Sequence, residues 1–168
     1  ANRRKIVAGN WKMNLLAQAA GQLTDDIIYS AEKEKVADDV ELILIPAFPY
    51  LDFVGSKLAG NSINYGAQDC SEYDEGAYTG EVSASIICSI GADYIIVGHS
   101  ERRNYFNESS EALLSKMKQV LDRKITPIFC CGEHLKDRNG KKHFDVVENQ
   151  LKEVLFKIRK TSISKIII

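Results

Sequence analysis

Tyr94-Ile95-Ile96-Val97 runs without interruption into Gly98-His99-Ser100-Glu101-Arg102-Arg103. Four aromatic or β-branched residues in a row read as a strand buried on both faces. Such a strand has little reason to end in an imidazole, a hydroxyl, a carboxylate and two guanidiniums unless its end faces a polar site. Histidine is the side chain best suited to proton handling near neutral pH, and Gly98 lets the backbone turn or a ligand approach closely. A histidine at one strand end also fits a solvated turn, so its meaning depends on how the other strands end.

Five further apolar runs flank this one: Ile6-Val7-Ala8, Leu42 to Ile45, Ile63-Asn64-Tyr65, Pro127-Ile128-Phe129 and Ile163 to Ile168. Their centres recur roughly every thirty residues, the length of a βα unit. Helix-period stripes lie between them. Leu16, Ala20, Leu23 and Ile27 form one; Leu113, Met117, Val120 and Leu121 form another, behind possible caps at Ser109-Ser110-Glu111; Phe144, Val147, Leu151, Val154, Leu155 and Ile158 form a third. Alternating strands and helices predict an α/β fold with a parallel sheet. Two architectures fit, an open doubly wound sheet and a (β/α)8 barrel, and both bind ligands at the carboxyl ends of their strands. Asn10 and Lys12, Gln68 and Asp69, His99 to Arg103, and Glu133 all fall there. No glycine-rich dinucleotide or P-loop fingerprint follows the first strand. With no linker or low-complexity tract, residues 1–168 read as a single domain.

Composition narrows the function classes. A formal net charge of −1 with dispersed basic residues argues against nucleic-acid and anionic-membrane partners. The basic stretch Lys136 to Lys142 reads as a solvated loop. No stretch reaches membrane-spanning length. Ala1-Asn2-Arg3-Arg4-Lys5 does not open a signal peptide, so a cytoplasmic chain with free thiols is expected. Cys130 and Cys131 would point to opposite faces of a strand and not converge on one ion, so no metal is expected. Asn107-Glu108-Ser109 matches a glycosylation sequon that a cytosolic chain would leave unused.

The candidate chemistry starts at Gly9-Asn10-Trp11-Lys12-Met13-Asn14. Along a strand Asn10 and Lys12 share a face, and a lysine at a strand end offers a fixed positive charge to an anionic substrate or a developing oxyanion. With His99 it suits stabilisation of an enediolate, the intermediate of proton transfer beside a carbonyl. That chemistry needs a base. Glu101 is placed for it by proximity and equally for pairing with Lys12 or an arginine. The segment Gly66 to Ser83 is long for a βα connection; its Gly76-Ala77-Tyr78-Thr79-Gly80 tip suits a lid or an arm docking on another subunit.

Gly9 to Asn14, Gly66-Ala67-Gln68-Asp69, Gly76 to Ser83, Val97 to Arg103 and Cys131-Gly132-Glu133 occur in an order and spacing that resemble the triosephosphate isomerase family, from about residue 5 to residue 168. The resemblance implies a TIM-type (β/α)8 barrel. It also implies a homodimeric cytoplasmic enzyme of glycolysis and gluconeogenesis, interconverting dihydroxyacetone phosphate and glyceraldehyde 3-phosphate without a cofactor. By matched motifs, Asn10 and Lys12 hold the substrate, with Ser100 beside the site. His99 polarises the carbonyl and Glu101 orients Lys12. The same resemblance puts Met13, Gly76, Tyr78, Thr79, Glu81 and Arg102 at the dimer interface, Thr79 inserting near the neighbour's Met13 and Arg102 bracing through Glu81. This family is itself the known example of a neutral histidine electrophile set by a helix N-terminus, which the segment from Ser100 would supply.

One departure accompanies the resemblance. Ile166-Ile167-Ile168 looks like the sixth strand, and in the family the glutamate base, the mobile lid, the phosphate-gripping loops and the last two βα units come after it. The expectation is therefore an incomplete barrel of strands one to six. The 168-residue stretch by itself would be inactive, since losing a general base alone costs on the order of 10² to 10⁴ in rate. The alternative reading is a non-catalytic βα-repeat anion-binding module, or an assembly fragment, that keeps the anion site at Lys12.

Overall fold

A computed structural model describes residues 5–36 and 39–168; the leader reading at residues 1–4 lies outside them. In chain order the elements are β1 (Ile6–Asn10), α1 (Ala17–Lys33), β2 (Glu41–Ile45), α2 (Leu51–Lys57), β3 (Asn64–Ala67), α3 (Ala84–Ser89), β4 (Tyr94–Val97), α4 (Ser100–Tyr105), α5 (Ser110–Asp122), β5 (Thr126–Phe129), α6 (Leu135–Asn139), α7 (His143–Glu153) and α8 (Lys160–Ile163). Strand order follows chain order, β1-β2-β3-β4-β5, as repeated βα units require. The chain forms two compact units: the chain up to Gln68 with Ile87–Tyr94, and Asp69–Ile86 with Ile95–Ile168. No helix among the described residues is long and apolar enough to cross a membrane.

The first unit is built on a parallel ladder. Ile6 to Asn10 pair in register with Glu41 to Ile45, and Ile43 and Leu44 pair with Asn64 and Tyr65. Ile43, Leu44 and Ile45 are all buried, because both faces of β2 are covered; each such side chain stabilises by about 1.5–3 kcal/mol. Leu44 joins Ala31, Val54, Leu58 and Ile63 in a cluster against which Trp11, Ile27 and Tyr65 pack. Helix α1 buries small residues, Ala20, Gly21, Thr24 and Ala31. The Thr24 hydroxyl donates to Ala20 O at 2.8 Å, so its burial leaves no polar group unmet. Leu16, expected on the buried stripe, is 79% exposed, because it precedes the helix as its N-cap.

In the second unit Ile95, Ile96 and Val97 of β4, Phe129 of β5, and Leu113, Met117 and Val120 of α5 are buried. Ser109 caps α5 as its position predicted, accepting from Ala112 N at 3.2 Å. The third apolar stripe is not one helix. Helix α7 stops at Glu153, and Val154 and Leu155 are buried on either side of the start of a 3₁₀ turn over Leu155–Lys157. Lys136 to Lys142, read as a loop, begins inside α6, whose first turn is held by His134 N donating to Asp137 at 3.2 Å.

The sixth strand expected over Ile163–Ile168 is reduced to one parallel bridge between Ile128 and Ile167. Phe129 N donates to Ile167 O at 2.8 Å and Ile167 N to Pro127 O at 3.0 Å. The physical reason is the turn of α8, which draws Ile163 into helical geometry and leaves few extended residues beyond it.

Candidate active site

In the first unit, β1 ends at Asn10 and the chain turns. Lys12 has φ 54°, a left-handed conformation that costs a non-glycine residue about 1–3 kcal/mol and recurs at functional sites. The Asn10 carboxamide holds this turn by accepting from Lys12 N at 2.9 Å. Strand alternation, which would set the two side chains on one face, therefore stops before Lys12; a side chain–backbone hydrogen bond couples them instead. Gln68, just past β3, donates to Lys12 O at 2.8 Å and to Ile45 O at 3.1 Å. It thus ties the Lys12 turn to the end of β2, where Trp11 N also donates to Ile45 O at 3.0 Å. Sequence reading marked Gln68 as a strand-end polar residue without giving it this task. Lys12 is exposed, and Met13 beside it is 95% exposed.

In the second unit, Gly98 leaves β4 with φ 77°, and His99 becomes the N-cap of α4. Its Nδ1 accepts from Glu101 N at 3.2 Å. An amide N–H can only donate, so Nδ1 carries the lone pair and the ring proton sits on Nε2. Glu101 Oε2 lies 3.4 Å from the same Nδ1, the outer edge of hydrogen-bonding reach, so the amide contact sets the tautomer. Ser100 is exposed at the start of the helix.

Arg102 points into a buried charge cluster. Its Nε lies 2.7 Å from Asp69 Oδ2 and also contacts Glu108 Oε1, which Lys116 Nζ reaches from α5. Burial alone would raise the Glu108 carboxyl, but hydrogen bonds from Lys116 and Arg102 outweigh it and hold the group below its ordinary value. Burial works to lower the Lys116 ammonium, and the charge of Asp69 overcomes this and raises it. Sequence reading missed Lys116, which sits among Leu113, Met117 and Val120 on the buried side of α5, and saw Glu108 only inside a sequon.

The Gly66–Ser83 segment is pinned at its neck by Ser71 N donating to Val82 O at 2.8 Å. Tyr73 and Tyr78 stack at 3.8 Å between ring centroids, and Gly76 and Gly80 take positive φ. The segment and the start of α3 line an open cavity of about 320 Å³, bordered by Tyr73, Asp74, Gly76, Tyr78, Glu81 and Ile86, with Thr79 exposed at the tip. After β5, Gln150 brackets Gly132 with two hydrogen bonds of 2.9 Å, one to each backbone polar group. Arg138 Nε donates to Glu133 at 2.7 Å. Among the described residues no group of three or more His, Cys, Asp or Glu side chains is gathered as a metal ion would need.

The family model of triosephosphate isomerase matches residues 5–168. The chain belongs to the triosephosphate isomerase family. Relatives bearing the name triosephosphate isomerase include one from Porphyromonas gingivalis, 41% identical over 166 residues, and one from Flavobacterium johnsoniae, 40% identical over 166 residues. A third, from Cutibacterium acnes, is 42% identical over 173 residues. Each alignment covers 99% of this chain; it covers 65% of the first two relatives and 66% of the third. The β/α repeat predicted from the strand runs is thus the fold of a family of isomerases. The triosephosphate isomerase match takes in both strand ends described above, Asn10 to Met13 and Gly98 to Arg103.

Proposed function

We propose that this chain carries the substrate-holding and carbonyl-polarising residues of a triosephosphate isomerase, interconverting dihydroxyacetone phosphate and glyceraldehyde 3-phosphate through an enediolate. The observation that carries this reading is the hydrogen bond from Glu101 N to His99 Nδ1. It leaves a neutral imidazole with Nε2–H free to donate to a carbonyl oxygen as negative charge develops there. A donor of this kind is worth about 10² to 10³ in rate.

In this reading the Lys12 ammonium attracts the phosphate dianion and steadies the enediolate oxygen, Asn10 holds the Lys12 turn, and Glu101 orients Lys12. Ser100 flanks the imidazole. A proton leaves the carbon beside the carbonyl for a carboxylate base and returns to the former carbonyl carbon, while the hydroxyl proton passes from one enediolate oxygen to the other, so the reaction needs no oxidant and no cofactor. The base is the family's glutamate, which follows the sixth strand. The intact protein acts in the cytoplasm as a homodimer. The exposed Met13 and the cavity bounded by Gly76, Tyr78 and Glu81 support an exchange of side chain and socket between two copies, with Thr79 at the tip and Arg102 bracing Glu81.

The test is a titration of the ¹⁵N-histidine-labelled chain with dihydroxyacetone phosphate, followed at the His99 ring. The expected result is a saturable shift of Nε2 that Lys12→Ala abolishes. A His99 spectrum indifferent to the ligand, or one that responds equally in Lys12→Ala, would overturn the reading.

A further inference from the structure

We propose that Arg103 is a positioning residue for His99, a guanidinium that locks the backbone from which the imidazole projects. The inference rests on the functional reading above for its purpose, and on geometry within the second unit for its substance.

The ladder between β4 and β5 ends where Cys130 N donates to Val97 O at 2.9 Å. Beyond that point Gly98 turns away with positive φ. Arg103 takes over there. Its Nε donates to Gly98 O at 2.7 Å and its Nη2 to Cys130 O at 2.9 Å. Its backbone N–H donates to His99 O at 3.1 Å. One residue therefore holds the carbonyls of both Gly98 and His99, and ties the first to the end of β5. The guanidinium lies over the Phe129 ring, 5.5 Å from its centroid, a cation–π contact that helps hold it there.

Gly98 is shaped for this arrangement. A Cβ there would stand 2.7 Å from Arg103 Nη2 and 3.3 Å from Cys130 O, so glycine clears the space the guanidinium fills. The neighbouring arginine has a different task, since Arg102 binds the Asp69 and Glu108 carboxylates. The planar fork presents Nε and Nη2 to the two carbonyls in a fixed geometry. A lysine ammonium is a rotatable point charge without that fork.

The consequence falls on the imidazole. With Gly98 O and His99 O held, the His99 backbone is fixed in the capping conformation that lets Nδ1 meet the Glu101 amide. Releasing the fork frees Gly98 to rotate and loosens that meeting. A misplacement of about 1 Å at such a group costs on the order of 10² in rate.

The experiment compares the chain with Arg103→Lys by ¹⁵N NMR of His99 and by hydrogen exchange. In Arg103→Lys the His99 nitrogens should shift toward the average of a mixed tautomer, and the Glu101 amide should exchange at least about tenfold faster. The amides of β2 and α1 should exchange as in the parent. Unchanged His99 nitrogens and Glu101 exchange in a folded Arg103→Lys would overturn the proposal. If that variant does not fold, the parent chain decides. Arg103 Nε–H should exchange at least about tenfold more slowly than that of the exposed Arg159, and equal rates would overturn the proposal. Failure of dihydroxyacetone phosphate to bind the parent would refute the functional reading, while the tautomer comparison would still decide the role of Arg103.

Discussion

Lys116 Nζ lies 2.8 Å and 3.0 Å from the two carboxylate oxygens of Asp69, and both residues are buried, 47 positions apart in sequence. The pair joins the start of the long segment after β3 to the middle of α5. Glu108 bridges Lys116 to Arg102, so two cations and two anions form one cluster, of which Asp69, Glu108 and Lys116 are buried side chains and Arg102 is 32% exposed. Charges taken out of water in this way are tolerable only together.

Removing one member should therefore cost far more than removing a matched pair. Lys116→Met is expected to lower unfolding stability by about 3–5 kcal/mol, because Asp69 and Glu108 are left buried beside one cation. Adding Asp69→Leu should recover a large part of that loss. Urea denaturation of the two single variants and the double variant measures the coupling directly; additive losses would mean that the contact is not energetically shared.

The acid limb of stability should carry the mark of Glu108. Its carboxyl is held below the ordinary value of 4.5 by Lys116 and Arg102, which prevail over burial. A depressed folded-state value contributes stability above 4.5 that is lost as pH falls below it. Asp69 works with the opposite sign: burial raises its carboxyl despite Lys116, so its contribution improves on acidification. Glu108→Gln is expected to be less stable than the parent at pH 7 and to lose stability less steeply below pH 4.5. Denaturant midpoints across pH 3 to 7 test this, and parallel curves would rule it out.

Among the described glycines of the first unit, Gly66 in β3 has backbone packed most closely against it. A Cβ there would meet Tyr94 O at 2.5 Å and Tyr94 Cβ at 2.7 Å. Backbone cannot swing aside as a side-chain tip can, so Gly66→Ala must spread the strands. An expected loss of at least about 1–3 kcal/mol follows from such overpacking, together with faster exchange of Asp93 N–H, which donates to Tyr65 O at 3.1 Å. A variant with parental melting temperature would contradict the close approach.

Much of the fold, and the candidates for a site on it, are legible in the residues alone. The buried strands announce themselves as short β-branched runs, and Asn10, Lys12 and His99 stand out because polar groups follow those runs directly. The local reasons are less visible. Lys12 owes its place to a left-handed turn held by Asn10 and Gln68, which no side-chain period encodes. Lys116 is hidden because a lysine on a helix ordinarily points to water, and its two carboxylate partners lie far away in sequence or behind a turn. The run at Ile163–Ile168 has the composition of a strand, yet hydrogen bonding in the preceding helical turn decides how much of it pairs. Arg103 is indistinguishable from Arg102 by type and neighbourhood; only the carbonyls each can reach tell them apart.

Trp11 sits between Asn10 and Lys12, half-buried against the Leu44 and Val54 cluster, and it is the chain's only tryptophan. Its emission therefore comes from a single place, one residue from the ammonium that would receive a phosphate. Excitation at the red edge of protein absorbance would isolate that indole from the seven tyrosines. Anion arrival at the Lys12 turn would become a fluorescence signal with no label attached, readable on the timescale of mixing.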